Sequence, residues 1–353
     1  MLIKFEEYMK FTEAIRDALI IAMEQDENVI TYGLGADDPK GIFGTTLGLQ
    51  QRFGTKRVFD MPTSENAMTG VAIGAGLRGV RAVLAHQRLD FALLSLDQII
   101  NNAAKWYYMF GEQQSVPITI RMIMGRGWGQ GPTHSQNLQA LFAHIPGLKV
   151  VIPSTPRQAK GLLLSSIFDD DPVIFLEHRW THNTEGAVPE GDFRLPLGKS
   201  ELVQKGEDIT VVSISYMTIE TRRVTEQLQN SSISVEHIDL VSIRPIDWYS
   251  ILTSVRKTGR LLVVDTGHRT GSVASEIVAT VCCKCFGDLK VAPEIIALPD
   301  NPTPTSSALT KHFYPEATQI LESICRLTGK IFQGNFESST PHDVPGVWFQ
   351  GPF

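Results

Sequence analysis

Short apolar segments alternate along this chain with longer segments in which apolar residues recur at helical spacing. The short segments predict buried strands at residues 29–32, 80–85, 118–124, 148–152 and 173–176. The longer segments predict helices at residues 11–25, 93–110 and 158–168. Strands that alternate with helices are typical of βαβ units, so the first part of the chain is expected to form a mainly parallel sheet.

A change in composition separates this block from a second one. Residues 181–204 are polar, contain Gly and Pro and show no clear periodicity, which indicates a linker. Beyond it, strands are predicted at residues 209–214, 235–240 and 261–265, and helices at 219–228 and 273–286. The pattern predicts an α/β protein with domains at residues 1–180 and 205–332 and an aromatic, Pro-rich tail at 333–353.

Composition narrows the function classes. The 353 residues carry a net charge of -6, with 42% hydrophobic and 20% charged side chains, as in ordinary soluble proteins. A nucleic-acid partner is not expected, because it would need a basic face. No apolar run reaches the roughly 20 residues of a membrane span, and the first residues do not resemble a signal peptide. A cytoplasmic location is the resulting prediction.

One acidic residue, Glu65, stands between a predicted strand at residues 56–60 and a predicted helix of small apolar residues at 67–77. In a parallel sheet this point is the carboxyl edge of the strands, where open α/β folds bind ligands. A carboxyl group there is a candidate for catalysis. The alternative is that Glu65 complements the helix dipole in a first turn capped by Ser64 or Thr63, and the two roles can coexist.

Three further segments place polar groups at predicted strand ends. The glycine-rich loop at residues 125–136 either presents His134 as an acid, base or hydrogen-bond donor, or is a surface loop with an incidental histidine. Residues 85–91, which include Phe91, either line a cleft or form a solvated turn. The carboxylates of residues 169–171 either bind a cation or are hydrated at a helix end.

Taken together, these motifs resemble the beta subunits of thiamine-diphosphate-dependent 2-oxo acid dehydrogenases, the decarboxylating components of the pyruvate and branched-chain complexes. The resemblance runs from about residue 5 to 330, and its matching stretches are RVFDMPTSE at 57–65, DQIINNAAK at 97–105, HSQ at 134–136, PGLKVV at 146–151 and RTG at 269–271. It implies a doubly wound, transketolase-like pyrimidine-binding domain at 1–180 and a transketolase C-terminal-type domain at 205–332.

The resemblance also implies roles for individual residues. The Glu65 carboxyl group would bond to the pyrimidine ring of thiamine diphosphate and favour the tautomer that removes the thiazolium proton. Such a group must share or hold a proton, which an apolar setting favours. Phe91 would stack on the pyrimidine, and Leu34 and Gln87 would belong to the same cofactor pocket. His134 would face the substrate or the reacting intermediate.

Metal and partner assignments follow from the same resemblance. Thiamine enzymes hold the diphosphate through Mg²⁺, a Gly-Asp-Gly motif and a later Asn, whereas this chain reads Gly-Asp-Phe at 191–193 and Gly-Asp-Leu at 287–289. An alpha subunit is therefore expected to hold Mg²⁺ and the diphosphate in an α2β2 heterotetramer, with a lipoyl acyltransferase core as a further partner. Some relatives bind a structural potassium ion, whose ligands would match Ile118, Ser166, Ile167, Asp169 and Asp171.

The chain departs from the family pattern beside this pocket. Leu34 stands where relatives commonly carry glutamate, and Ala85, His86 and Arg88 replace a glutamate and apolar residues. The loss of an acid and the gain of basic groups predict an anionic or polar substrate that contacts His86, Arg88 and His134.

Three functions remain open on these grounds. The first is the dehydrogenase beta subunit, which decarboxylates a 2-oxo acid and passes the acyl group to a lipoyl partner. The second is a split transketolase-like transferase or synthase that passes an acyl or ketol unit to a sugar or another non-lipoyl acceptor. The third is a cofactor-free scaffold, against which the presence of Glu65, Phe91 and His134 argues.

Overall fold

A computed structural model of the protein describes residues 6–126, 129–229 and 231–336. Most of the predicted tail, from residue 337 to 353, lies outside the described residues, as do two positions of the glycine-rich loop, 127 and 128. The chain forms two compact units. The first contains the chain up to Met124 together with Leu141–Leu197, and the second contains Gly125–Ala140 and the chain from Gly198 onward.

The first unit is an α/β unit whose strands alternate with helices. Its elements, with α6 at the junction of the units, are β1 (Glu6–Lys10), α1 (Phe11–Gln25), β2 (Val29–Gly33), α2 (Leu49–Phe53), β3 (Val58–Phe59), α3 (Glu65–Gly76), β4 (Arg81–His86), α4 (Leu89–Ala92), α5 (Ala104–Met109), β5 (Ile118–Met124), α6 (Gln139–Ala143), β6 (Lys149–Val151), α7 (Pro156–Ile167), β7 (Val173–His178) and β8 (Glu185–Pro189).

Six strands of this unit lie parallel in the order β6-β7-β5-β4-β2-β3. Every residue of β5 and β7 is buried, which explains why both strands are mostly apolar in sequence. Helix α7 begins where the sequence supplies a capping box. The Thr155 hydroxyl accepts a hydrogen bond from the Gln158 backbone N–H at 3.2 Å, and Pro156 occupies the first helical position.

Two segments differ from their prediction. The continuous helix predicted at residues 93–110 is divided into a 3₁₀ turn at Leu93–Ser95, a π-helix at Gln98–Ala103 and α5. The Ser95 hydroxyl donates to the Ala92 carbonyl at 2.8 Å, a local bond that competes with the helical ladder. The predicted linker at 181–204 contains two strands, β8 and residues 201–204. Strand β8 pairs antiparallel with β1, a long-range contact that local periodicity does not report.

The second unit holds a five-stranded sheet in the order β14-β13-β10-β11-β9, in which only β9 is antiparallel to its neighbour. Its elements are β9 (Glu201–Gln204), β10 (Ile209–Ser213), α8 (Tyr216–Leu228), β11 (Val235–Asp239), β12 (Ser242–Arg244), α9 (Trp248–Thr258), β13 (Leu261–His268), α10 (Val273–Lys284), β14 (Glu294–Leu298), α11 (Ser307–Thr310) and α12 (Ala317–Thr328). The predicted α/β fold with mainly parallel sheets is confirmed.

Among the described residues, no helix is both long enough and apolar enough to cross a membrane.

Candidate active site

The candidate active site of the first unit begins at Glu65, the first residue of α3. Its side chain is buried with the residue only 5% exposed, although it follows an exposed turn. The preceding Ser64 makes no side-chain cap. Within the part of the chain that the structure describes, no group donates a hydrogen bond to the Glu65 carboxyl oxygens. The carboxyl oxygens are therefore available to a ligand that supplies a nitrogen atom.

The start of α3 is fixed against the ends of β2 and β3. The Tyr32 hydroxyl donates to the Met68 carbonyl at 2.7 Å, and the Tyr32 ring stacks on Phe59 at 5.0 Å between centroids. Burial raises the pKa of Tyr32 well above its ordinary value, so the hydroxyl stays protonated as a donor. These contacts place Glu65 at the carboxyl edge of the sheet, as predicted from the sequence.

A second set of hydrogen bonds joins three strand ends at the same edge. The Asp60 carboxylate accepts hydrogen bonds from the Gly35 N–H at 2.9 Å and the Met61 N–H at 2.8 Å. The Gln87 side-chain amide donates to the Leu34 carbonyl at 2.8 Å. A Cβ at Gly35 would lie 2.8 Å from that amide, and Gly35 has a φ of +76°, so only glycine suits this turn. Leu34 and Gln87, both predicted for the cofactor pocket, are thus hydrogen-bonded to each other.

The segment after β4 is buried rather than solvated. His86 is 2% exposed and Arg88 is 4% exposed, and Phe91 is half-buried on α4. Burial lowers the pKa of His86 to about 4, so the imidazole is neutral at pH 7. Its Nε2 atom has no hydrogen-bond partner among the described residues. The solvated-turn alternative therefore does not describe this segment.

Three basic side chains surround the ring of Phe43, which lies in the loop after β2. The guanidinium carbon of Arg88 is 5.7 Å from the ring centroid, and that of Arg179 is 4.5 Å away. The His182 ring meets the same ring edge-on at 6.0 Å. We call these four residues the Phe43 cluster. Arg88 follows β4 and Arg179 follows β7, so parallel strands carry both arginines to one edge of the sheet.

A buried ion pair lies beside this cluster. Arg121 in β5 and Glu177 in β7 are both 0% exposed, with Nε–Oε1 and Nη2–Oε2 distances of 2.6 and 3.1 Å. Nε2 of His182 is 3.3 Å from the second Glu177 oxygen. Burial alone would raise the pKa of Glu177, but the Arg121 charge and hydrogen bonds from His182 and Arg121 lower it to about 2.

The remaining predicted site residue, His134, belongs to the second unit. It follows a 3₁₀ turn at Gly131–Thr133 and is half-buried. Its Nδ1 atom lies 3.0 Å from the Thr133 hydroxyl. That His134 faces the substrate or the reacting intermediate stays a prediction.

Comparison with known proteins decides the family. Residues 7–183 match the transketolase pyrimidine binding domain, and residues 198–320 match the transketolase C-terminal domain. Subunit beta of the acetoin:2,6-dichlorophenolindophenol oxidoreductase of Cupriavidus necator is 41% identical over 312 residues, which cover 87% of this chain and 91% of that protein. Subunit beta of the Bacillus subtilis pyruvate dehydrogenase E1 component is 36% identical over 316 residues, with coverages of 89% and 97%. The chain belongs to the transketolase-like family of 2-oxo acid dehydrogenase beta subunits.

The predicted resemblance is confirmed, and with it membership of a thiamine-diphosphate-dependent family. A solved structure described as a split gene transketolase, inactive beta4 tetramer, has a TM-score of 0.74 and covers 91% of this chain and 99% of its own. Because that protein is only 18% identical, it shows a shared fold alone.

The potassium ligands predicted for this beta subunit already have cationic partners. The carbonyl oxygens of Ile167 and Asp169 accept hydrogen bonds from the Arg81 guanidinium at 3.2 and 2.8 Å. Nζ of Lys149 lies 2.7 Å from the Asp169 carboxylate and 3.0 Å from that of Asp171. Because side-chain cations take these oxygens, the residues present do not fit a potassium ion.

The other two predicted ligands do not restore such a site. The Ser166 hydroxyl donates to the Leu162 carbonyl at 2.7 Å, and Ile118 is buried at the start of β5. Within residues 6–126, 129–229 and 231–336, no three His, Cys, Asp or Glu side chains are grouped so that they could hold a metal ion.

These contacts predict how the beta subunit responds to monovalent cations. We expect the same melting temperature in potassium chloride and in sodium chloride of equal concentration, because Arg81 and Lys149 occupy the place of the ion. A saturated ion site would instead raise the melting temperature by several degrees. Differential scanning calorimetry in the two salts checks this, and a rise specific to potassium would contradict it.

Several residues of the site could not be predicted from the sequence. Phe43 and His182 lie in segments without periodicity, and only the fold brings them to the ends of β4 and β7. A signal did exist for the ion pair. Arg121 interrupts one apolar strand and Glu177 ends another, and charges inside buried strands are expected to pair.

Proposed function

We propose that this chain is the beta subunit of a thiamine-diphosphate-dependent 2-oxo acid dehydrogenase, which decarboxylates a 2-oxo acid and transfers the acyl group to a lipoyl partner. The observation that carries the proposal is Glu65, a buried carboxyl group without a protein donor at the first turn of α3. Its place on a transketolase pyrimidine binding domain supports the same function.

Bound thiamine diphosphate would supply a thiazolium carbon that adds to the 2-oxo group and accepts the electrons released by decarboxylation. Glu65 would form a hydrogen bond with the pyrimidine ring nitrogen from its buried position at the first turn of α3. Phe91 would stack on the pyrimidine, and the Leu34 carbonyl with the Gln87 amide would line the same pocket. His134 would donate a hydrogen bond to the substrate.

The proposal includes an alpha subunit that holds the diphosphate and Mg²⁺, in an α2β2 heterotetramer located in the cytoplasm. The first unit exposes apolar side chains that a partner would cover. Tyr108 is 86% exposed, and Leu94, Tyr107, Met109 and Phe110 are between 40% and 66% exposed. Exposed apolar groups of this size mark interaction surfaces. A lipoyl acyltransferase core would be the further partner, and the predicted domain limits of 1–180 and 205–332 are kept.

The split transketolase-like alternative is not favoured. The curated relatives are named as an acetoin oxidoreductase subunit and as pyruvate and 2-oxoisovalerate dehydrogenase subunits. Acetoin therefore belongs beside 2-oxo acids among the substrates to be tried.

Co-expression with an alpha subunit of this family from the same organism tests the proposal. We expect the purified pair, with thiamine diphosphate and Mg²⁺, to reduce a dye acceptor with a 2-oxo acid. Each chain alone should be inactive, because this chain supplies Glu65 but lacks the Gly-Asp-Gly motif for the diphosphate. Dye reduction and release of carbon dioxide are the measurements. Decarboxylation by the lone beta chain would contradict the shared site, and an inactive pair would contradict the function.

A further inference from the structure

The Phe43 cluster is a basic pocket that opens at an aromatic ring. Phe43 is 37% exposed, whereas Arg88, Arg179 and His182 are 4%, 8% and 0% exposed. The two guanidinium groups and the imidazole are therefore buried, whereas the ring that they contact is partly exposed. All four residues belong to the first unit, so the geometry depends on one compact body.

Burial makes the two arginine charges costly. Desolvation and the positive charge of Arg88 together lower the pKa of Arg179 to about 10, which leaves the Arg179 guanidinium group charged at pH 7. Like charges in a region of low dielectric repel strongly.

Two guanidinium groups meet at this one ring, those of Arg88 and Arg179. The planar guanidinium fork matches carboxylate and phosphate groups, so an anionic ligand suits this position.

Two neutral imidazoles add hydrogen-bonding capacity. Burial, followed by weaker and opposing effects of the neighbouring charges, lowers the pKa of His182 to about 4, and burial lowers that of His86 to about 4. His182 Nδ1 and His86 Nε2 have no hydrogen-bond partner within the described part of the chain. Buried polar atoms rarely lack a hydrogen-bond partner, so a ligand or a water molecule is expected to bond to these nitrogens.

We propose that the Phe43 cluster binds a second anionic group of the substrate, so that the enzyme acts on a 2-oxo acid with a carboxylate or phosphonate at its far end. The inference rests on the proposed function, whose substrate class it names. The position supports it, because Arg88 adjoins Gln87, which is bonded to Leu34 in the predicted cofactor pocket.

A purely structural role makes a different prediction. If Arg88 and Arg179 only hold the loop of Phe43 through cation–π contacts, their removal would affect every substrate equally. If they bind the far anion, the loss would fall on anionic substrates alone. The arginines could instead bind the carboxylate at the reacting end, which all 2-oxo acids share. Their removal would then also lower activity equally with every substrate.

The experiment uses the assembled alpha–beta enzyme and two matched substrate pairs. 2-Oxoglutarate is compared with 2-oxovalerate, and phosphonopyruvate with 2-oxobutyrate, so that each pair differs mainly in the second anion. We expect kcat/KM to be at least about tenfold higher for one anionic member than for its neutral match. A preference within the first pair identifies the second anion as a carboxylate, and a preference within the second pair identifies it as a phosphonate.

Variants then locate the effect. Arg88→Gln and Arg179→Gln should each lower kcat/KM for the preferred anionic substrate by roughly 10- to 100-fold, the loss typical of a hydrogen bond to a charged group, mainly through KM. Neutral substrates should be affected little. Arg157→Gln is the matched control, because Arg157 makes a similar contact with Phe193, at 4.9 Å, outside the cluster.

The outcomes separate the two hypotheses. If the wild-type enzyme is active but uses the neutral substrates as well as the anionic ones, or better, the inference is overturned. The proposed function then still stands. Equal losses for both substrate classes in the variants also overturn it. Inactivity with all four acids overturns the inference alone, because the proposed function is tested separately with other 2-oxo acids and acetoin. If the variants do not fold, the wild-type comparison decides.

Discussion

We expect the Glu65→Gln variant of the assembled enzyme to lose roughly 10²- to 10⁴-fold in kcat, the range for removal of a positioned acid or base. Glutamine matches the size of glutamate but cannot share a proton with the pyrimidine nitrogen. Glu65 has no protein donor among the described residues, so its buried carboxyl group is free for that task. Steady-state kinetics with saturating thiamine diphosphate gives kcat, and a fluorescence titration gives cofactor affinity, which should weaken by only about tenfold.

A matched control separates catalysis from helix stabilisation. Glu276 occupies the first turn of α10 but is exposed, so Glu276→Gln removes the same dipole interaction without the burial. That variant should keep its kcat. If Glu65→Gln also keeps its kcat and only lowers the melting temperature, Glu65 is a helix-end acid and the proposed mechanism is wrong.

The position of Glu65 could be predicted because local signals agree. A short strand, a turn with Pro62 and a helix of small residues follow one another within a few positions, and a parallel sheet places that turn at the ligand-binding edge. The buried strands β5 and β7 were equally clear, since a strand covered on both faces is mostly apolar and here only a few polar residues interrupt the pattern.

The Phe43 cluster could be predicted only in part. His86 and Arg88 follow a recognisable strand, so their basic character beside the pocket was evident from sequence. Phe43, Arg179 and His182 reach the same place through the crossovers of the sheet, over separations of more than a hundred residues in two cases, and no local pattern reports such distances. The same reason explains why β8, which pairs with β1, was predicted as irregular.

The second large effect is expected at the Arg121–Glu177 ion pair. Glu177→Gln should destabilise the folded chain by about 3–5 kcal/mol, because it leaves Arg121 charged and buried without its counter-ion. Arg121→Met should cost a similar amount by leaving the buried Glu177 charge without its counter-ion, whereas the double variant Arg121→Met with Glu177→Leu should recover most of the loss. Urea unfolding followed by tryptophan fluorescence measures each change. The exposed pair of Arg326 and Glu294, bidentate at 2.9 and 2.7 Å, is the control, and its rupture should cost less than about 1 kcal/mol.

The pH dependence tests the electrostatic origin of this effect. The pKa of Glu177 falls from 4.5 to about 2 on folding, so its ion pair stabilises the protein fully above the unfolded value. As the pH falls from 4.5 towards 2, the Glu177 carboxylate binds a proton in the unfolded state but not in the folded state, so this stabilisation is lost. The free energy of unfolding of the wild-type protein should therefore fall more steeply across that range than that of Glu177→Gln. Parallel slopes would mean that Glu177 is held by packing rather than by the Arg121 charge.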